Sequence, residues 1–306
     1  MFELLLLVGG GVAAGAFGAL LGLGGGVLIV PLLTLGFGLP FREAVGASLV
    51  CVIVTSSAAA SVYLQRDVAN LRLGMTLEMF TAIAALAGGL IAFLLPDRVL
   101  AIMFAALLLY VALTMARARD AREAMGVSPG PVAGSGARAR HDGPAVADED
   151  GDRDTATADS AIDAGLAEPE PDSSLAASLS GPGYRIHSLG RGVVGSLLAG
   201  IVSALFGVGG GIVKVPVMNL IMGVPMRVAT ATSNLMIGVT ASAGGLIYLF
   251  RGGIDPYVAA PTAVGVFVGA SLASRLADRV DLPVLRLLFI AVLVVTAAQM
   301  ALRGIG

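Results

Sequence analysis

One cysteine, one lysine and no tryptophan occur among 306 residues, of which only 13% are charged. The lone Cys51 cannot close an internal disulfide, so it says nothing about redox compartment. In its apolar surroundings it reads as a small buried hydrophobe. The two histidines, His141 and His187, fall in or beside a central polar stretch. Without a Cys or acidic cluster around them in an apolar segment, no metal site or haem is expected, and no cofactor. Aromatics make up 5% of the chain, too few to mark membrane interfaces with a ring belt. The scarcity of charge excludes an ordinary soluble domain, which carries about 25% charged residues. No nucleic-acid partner is expected either. The apolar N-terminus lacks a basic flank and runs straight into a glycine motif, so it reads as mature protein rather than as a signal peptide.

What the chain does have is apolar length. Hydrophobic residues are 57% and mean hydropathy is +0.90. Apolar segments fall at about 4–37, 41–64, 74–95, 98–116, 188–224, 226–250, 256–276 and 283–302. Several reach the roughly 20 residues that a helix needs to cross a bilayer. Between the two sets lies an Asp-, Glu-, Pro- and Ser-rich stretch that cannot bury enough apolar surface to fold, and it reads as a disordered tether.

The two sets repeat each other. Gly22-Leu23-Gly24-Gly25-Gly26-Val27-Leu28-Ile29-Val30-Pro31 returns 185 positions later as Gly207-Val208-Gly209-Gly210-Gly211-Ile212-Val213-Lys214-Val215-Pro216. The same offset pairs Gly38 with Gly223, Pro40 with Pro225, Arg42 with Arg227, Ser48 with Ser233 and Tyr63 with Tyr248. The expected organisation is a first membrane repeat over 1–117, an acidic cytoplasmic linker over 118–186 and a second repeat over 187–306. The expected fold is an all-α membrane protein of two inverted repeats, each a glycine-broken re-entrant hairpin followed by three transmembrane helices. The arginines favour that topology. If each broken segment enters and leaves on one face, Arg66, Arg72, Arg117, Arg119, Arg122, Arg185, Arg191, Arg227, Arg275, Arg279 and Arg286 share a face, and only Arg42, Arg98, Arg251 and Arg303 take the other. Positive charge collects inside, so the linker is expected in the cytoplasm and both termini outside a cytoplasmic membrane.

A glycine-rich break inside a membrane is tolerated only under protein or in a watery cavity. Each break exposes the first N–H groups of the half-helix that follows, and these carry a partial positive charge. Gly24, Gly25 and Gly26, with Gly209, Gly210 and Gly211, are therefore expected to converge on a small anion. Close helix packing through small residues is the plainer use of the same glycines. Pro31 and Pro216 remove a backbone donor and are expected to serve as hinges. Lys214, the sole lysine, stands where the first repeat has Ile29. A charge at that depth costs at least about 2.5–3.5 kcal/mol and needs a partner, either an anionic substrate or a carboxylate such as Glu78. Ser48, Thr230, Ser233 and Asn234 add hydrogen-bonding groups on the helices after the breaks, where they serve the anion or join helices. Glu78 is either a proton relay or an interfacial residue, and Arg42 and Arg227 read as topology anchors.

The duplicated Gly-x-Gly-Gly-Gly-x-x-x-Val-Pro pattern, with its Gly-x-Pro turn and Ser-bearing helix, resembles the sulfite exporter TauE/SafE family of membrane permeases. The resemblance covers both membrane halves but not the linker. It implies transport of sulfur oxyanions such as sulfite or organosulfonates, with the break residues and following helices lining the path. The partners expected are a small anion, lipid, and a coupling proton or sodium ion. Substrate, direction and oligomeric state stay open. An anion channel on the same scaffold is the alternative. An intramembrane enzyme is not supported, because no nucleophile–base pair and no paired acids lie in the apolar segments.

Overall fold

The computed structural model describes residues 2–21, 25–65, 69–124, 179–180, 186–276 and 282–305. Among these the fold is all-helical. The first half comprises α1 (Phe2–Leu21), a short helix α2 (Gly26–Pro31) that continues with a wider π turn over Leu32–Gly36, α3 (Phe41–Gln65), α4 (Leu71–Leu94) and α5 (Asp97–Ala124). The second half repeats the order with α6 (Leu189–Phe206), α7 (Gly211–Pro216) with its π turn over Val217–Ile221, α8 (Met226–Phe250), α9 (Pro256–Leu276) and α10 (Leu282–Ile305). Among the described residues six helices are long and apolar enough to cross a bilayer. Large apolar side chains cover the outside, as at Leu94, Phe250 and Leu302. Such a surface suits lipid rather than water.

Packing is reciprocal between the halves. Helix α1 lies along α9, and its repeat mate α6 lies along α4. The equivalent helices α3 and α8 pair with each other, as do α5 and α10. Glycines make the close crossings. A Cβ on Gly15 would strike the Val266 carbonyl, and one on Gly200 would strike the Thr81 carbonyl. These two contacts are the same contact seen in each half, since both pairs are related by the 185-residue offset. Backbones approach this closely only through small residues. Gly200→Val is accordingly expected to lower stability by about 1–3 kcal/mol through overpacking between α4 and α6. A detergent-solubilised thermal melt would show it.

The second broken segment turns back on itself. The N–H of His187, just before α6, donates to the carbonyl of Met222 at the end of the second hairpin (3.1 Å), and Gly192 meets the Met222 side chain. Both hairpins end in one conserved geometry: Leu39 N–H reaches Leu33 O (3.2 Å) as Val224 N–H reaches Met218 O (2.9 Å). The backbone stays helical through Pro31 and Pro216, and the π turns follow immediately. A proline has no N–H to give the preceding turn, so the register slips there.

Helix α5 extends to Ala124, beyond the end of its apolar run. Most of the acidic stretch lies outside the described residues. Its far end is docked: Asn70 Nδ2 donates to Leu179 O (2.8 Å), Ile186 N–H donates to Ser180 Oγ (3.0 Å), and Leu179 and Ile186 are buried against Leu73, Leu77, Met218, Met222 and Met236. Asn70 also caps α4, its side chain accepting from Leu73 N–H (3.1 Å).

Candidate functional site

The two glycine breaks meet. A Cβ on Gly26 would lie 2.5 Å from Gly207 O and 2.8 Å from Val52, and one on Gly209 would lie 2.8 Å from the same Val52. Ser48, fully buried on α3, bridges the breaks: its Oγ lies 2.7 Å from Gly207 O and 3.3 Å from Gly26 O. Its single proton goes to the nearer carbonyl. Ser48 thus ties α3 to the second break by donating to Gly207 O, with Gly26 O of the first break beside it. Gly24 lies outside the described residues.

In the second break Gly209 and Gly210 have φ of +80° and +74°, a left-handed conformation that an L side chain adopts only with strain. These turns aim α7 inward. Val213 and Lys214 N–H groups close its first bonds onto Gly210 O (3.1 and 3.0 Å). The N–H groups of Gly211 and Ile212 precede those bonds and have no intrahelical acceptor. Two hydroxyls flank this point. Ser233 Oγ sits 3.7 Å from a Cβ placed on Gly211, and Ser203 Cβ sits 3.3 Å from one placed on Gly210. Both hydroxyl oxygens are buried and have no hydrogen-bond partner among the described residues. A buried unpaired hydroxyl is rare and calls for an explanation such as an absent ligand or water.

The breaks are not equivalent in access. At matched positions Gly26 and Val27 are buried, whereas Gly211 and Ile212 are half-exposed; Gly25 and Gly210 are both buried. The second half-helix therefore starts where a solute can reach it.

Lys214 points to one side of this place. Its Nζ is 2.9 Å from Glu78 Oε2 and 2.5 Å from Thr240 Oγ1, and the Thr240 hydroxyl donates to Glu78 Oε1 (2.6 Å). Lys214 is 1% exposed and Glu78 7%, so the pair is buried. The ammonium expected for the anion is engaged by the carboxylate named as the alternative. Desolvation of two such charges costs several kcal/mol each, and the closed triangle of bonds offsets it. The positions related by the 185-residue offset hold Ile29, Ala263 and Thr55, so this ion pair has no counterpart.

The remaining expected residues divide. Ser48, Ser233, Gly209, Gly210 and Gly211 are brought together with Gly25 and Gly26. Asn234 is buried on the face of α8 that carries Gly238, which meets Ser56 of α3. Thr230 lies one turn before Ser233, half-buried, and donates to Met226 O of its own helix (2.8 Å). Arg42 pairs with Asp97 (3.0 Å) and donates to Leu95 O (2.5 Å), fixing the α4–α5 corner against α3 as an anchor would. Ser203 escaped the sequence reading, although a serine one turn before a glycine break in an apolar helix is a usable signal. A crevice of about 340 Å³ between α1, the first hairpin and α10 is walled by Phe17, Leu28, Leu32 and Phe289, and its character is apolar. It offers an anion little.

Comparison with known proteins agrees with this architecture. The family described as Sulfite exporter TauE/SafE matches residues 7–300. The chain is 24% identical over 310 residues, 98% of each chain, to the probable membrane transporter protein YunE of Bacillus subtilis (strain 168). No solved structure matches. With helical spans, a matched pair of broken hairpins and a family match over almost its whole length, the chain belongs to the sulfite exporter TauE/SafE family of membrane transporters.

Proposed function

We propose that the chain is a secondary transporter of small anions, of the sulfur-oxyanion class such as sulfite or organosulfonates, working by alternating access between two inverted repeats. The observation that carries this reading is the second glycine break. Two unpaired buried hydroxyls, Ser203 and Ser233, flank Gly210 and Gly211, and the N–H groups of half-exposed Gly211 and Ile212 precede the first bonds of their helix. All four are donors, or can be, and a tetrahedral oxyanion presents several acceptor oxygens in a small volume. The partial positive charge of the α7 N-terminus favours the same sign of ligand. The short outgoing hairpin legs, each interrupted by a proline and a π turn, support Pro31 and Pro216 as the points where a leg tilts to change access. The arginine distribution supports a cytoplasmic linker and external termini in a cell membrane.

The test is a thermal-shift screen of the purified protein against sulfite, sulfate, thiosulfate and methanesulfonate. Occupancy of the folded state raises the melting point. The double variant Ser203→Ala with Ser233→Ala is expected to weaken the stabilising anion by roughly tenfold or more per hydroxyl, since a hydrogen bond to a charged group contributes about 1.5–3 kcal/mol. Unchanged affinity in that variant would move the site elsewhere.

A further inference from the structure

The ion pair has a property that structural glue does not need. It joins the second repeat's hairpin to a helix of the first repeat, it has no counterpart at the matching positions, and its lysine is rooted one helical turn past the proposed anion site. Gly211 faces Ser233 and Ile237 of α8, and Lys214 faces Thr240, two turns along the same face. Lys214 is rooted one turn past the break, and its flexible stem lets the ammonium turn from Glu78 toward an anion there.

We propose that Glu78 is the proton-binding site that couples transport: its carboxylate and the anion take turns as the counter-charge of the Lys214 ammonium. This rests on the anion-transporter reading above. In the empty state Lys214⁺ and Glu78⁻ neutralise each other, and the site can cross between its two accessible states without moving net charge. When a proton binds Glu78, the carboxylic acid no longer balances the ammonium. A monoanion then does so. The loaded site holds one ammonium, one neutral acid and one anion, and its net charge is again zero. The exchange balances: one proton and one monoanion enter together and leave together. Burial of a lone charge costs several kcal/mol, so the half-loaded states, with an anion but no proton or the reverse, are disfavoured. That disfavour is what couples the two fluxes.

No other charge competes at this place among the described residues. Glu78 meets Lys214 from α7 and the Thr240 hydroxyl from α8. Helix α6, packed along α4, carries one charged residue, Arg191, exposed near its start. Helix α4 itself adds only Arg72, exposed in its first turn. The side chain of Arg227, in the first turn of α8, lies outside the described residues.

The experiment uses the full chain in proteoliposomes with methanesulfonate, a monoanion whose charge does not change between pH 5 and 8. The parent protein is expected to accumulate it about tenfold per unit of pH gradient, as a one-to-one coupling requires. It is also expected to ignore a membrane potential set with potassium and valinomycin. Glu78→Gln, a permanent stand-in for the protonated acid, is expected to reverse both responses: no accumulation from a pH gradient, and accumulation driven by potential. A Glu78→Gln protein that keeps the parent's pH-driven accumulation would overturn the proposal. Because that variant leaves a buried ammonium and can fail to fold, a second measurement uses the parent alone. Adding methanesulfonate to weakly buffered, detergent-solubilised protein is expected to take up close to one proton per bound anion. Binding without proton uptake overturns the coupling alone. Absence of any anion binding removes both this proposal and the transport reading beneath it.

Discussion

Lys214→Met is expected to lower folding stability by about 3–5 kcal/mol and to abolish anion transport, because it strands the Glu78 carboxylate in the buried interior. The double variant Lys214→Met with Glu78→Leu is expected to recover most of that stability, since apolar residues of similar volume replace buried pairs at little or no cost. It is not expected to recover transport. The separation matters because the ion pair has two candidate roles. If it merely fastens the second hairpin to α4, an apolar replacement that packs as well restores everything. If it holds the exchangeable cation of the site, stability returns and flux does not. Arg191→Ala, which removes an exposed charge on α6, is the contrasting variant and is expected to change flux by far less. Thermal melts and proteoliposome flux on the same preparations decide it. The positions related by the 185-residue offset, Ile29 and Ala263, carry apolar side chains in one buried cluster, so an apolar version is compatible with the fold.

Gly210→Val is expected to eliminate transport while leaving the protein in the membrane. Gly210 has φ of +74°, and a Cβ there would lie 2.9 Å from Ala199 O and 3.3 Å from Ser203 Cβ. The left-handed conformation alone costs a side-chain-bearing residue about 1–2 kcal/mol, and a β-branched one more. The backbone carbonyl cannot be moved aside cheaply. The break therefore reshapes, α7 no longer starts beside Ser203 and Ser233, and the converging donors are lost. Insertion depends on the long apolar spans, which the change does not touch. Gly190→Ala is the control. Nothing lies within 4 Å of a Cβ at Gly190, and it sits in the first turn of α6. Flux equal to the parent in Gly210→Val would separate transport from the break geometry.

Much of this arrangement is legible in the chain itself. The 185-residue offset relates the halves, and the structure returns the same carbonyl contact at Gly15 and Gly200, and the same hairpin closure at Leu39 and Val224. The glycine breaks and prolines punctuate the helices where the sequence places them, because positive φ and a missing N–H are local properties. Lys214 stands out in the sequence for a similar reason: an isolated cation among apolar neighbours cannot be accidental in a low-dielectric setting. What it pairs with is not local. Glu78 lies 136 positions away on another repeat, and only the packing of α4 against the second half selects it over a substrate. Ser48 and Ser233 look alike in sequence yet differ in state. Ser48 donates to the Gly207 carbonyl, and Ser233 is left unpaired. Thr230 illustrates the opposite error. Its helical spacing suits the polar face, but a threonine in a helix can satisfy itself on the carbonyl one turn back, and this one does.

The central claim is that an oxyanion is held at the second break and not elsewhere. Crystals grown with selenate, a sulfate analogue with a strong anomalous scatterer, test it directly. A selenium peak within hydrogen-bond reach of Ser203 Oγ, Ser233 Oγ and the N–H groups of Gly211 and Ile212 is the expected result. A well-occupied peak at another place in the protein, with this point empty, would contradict the account.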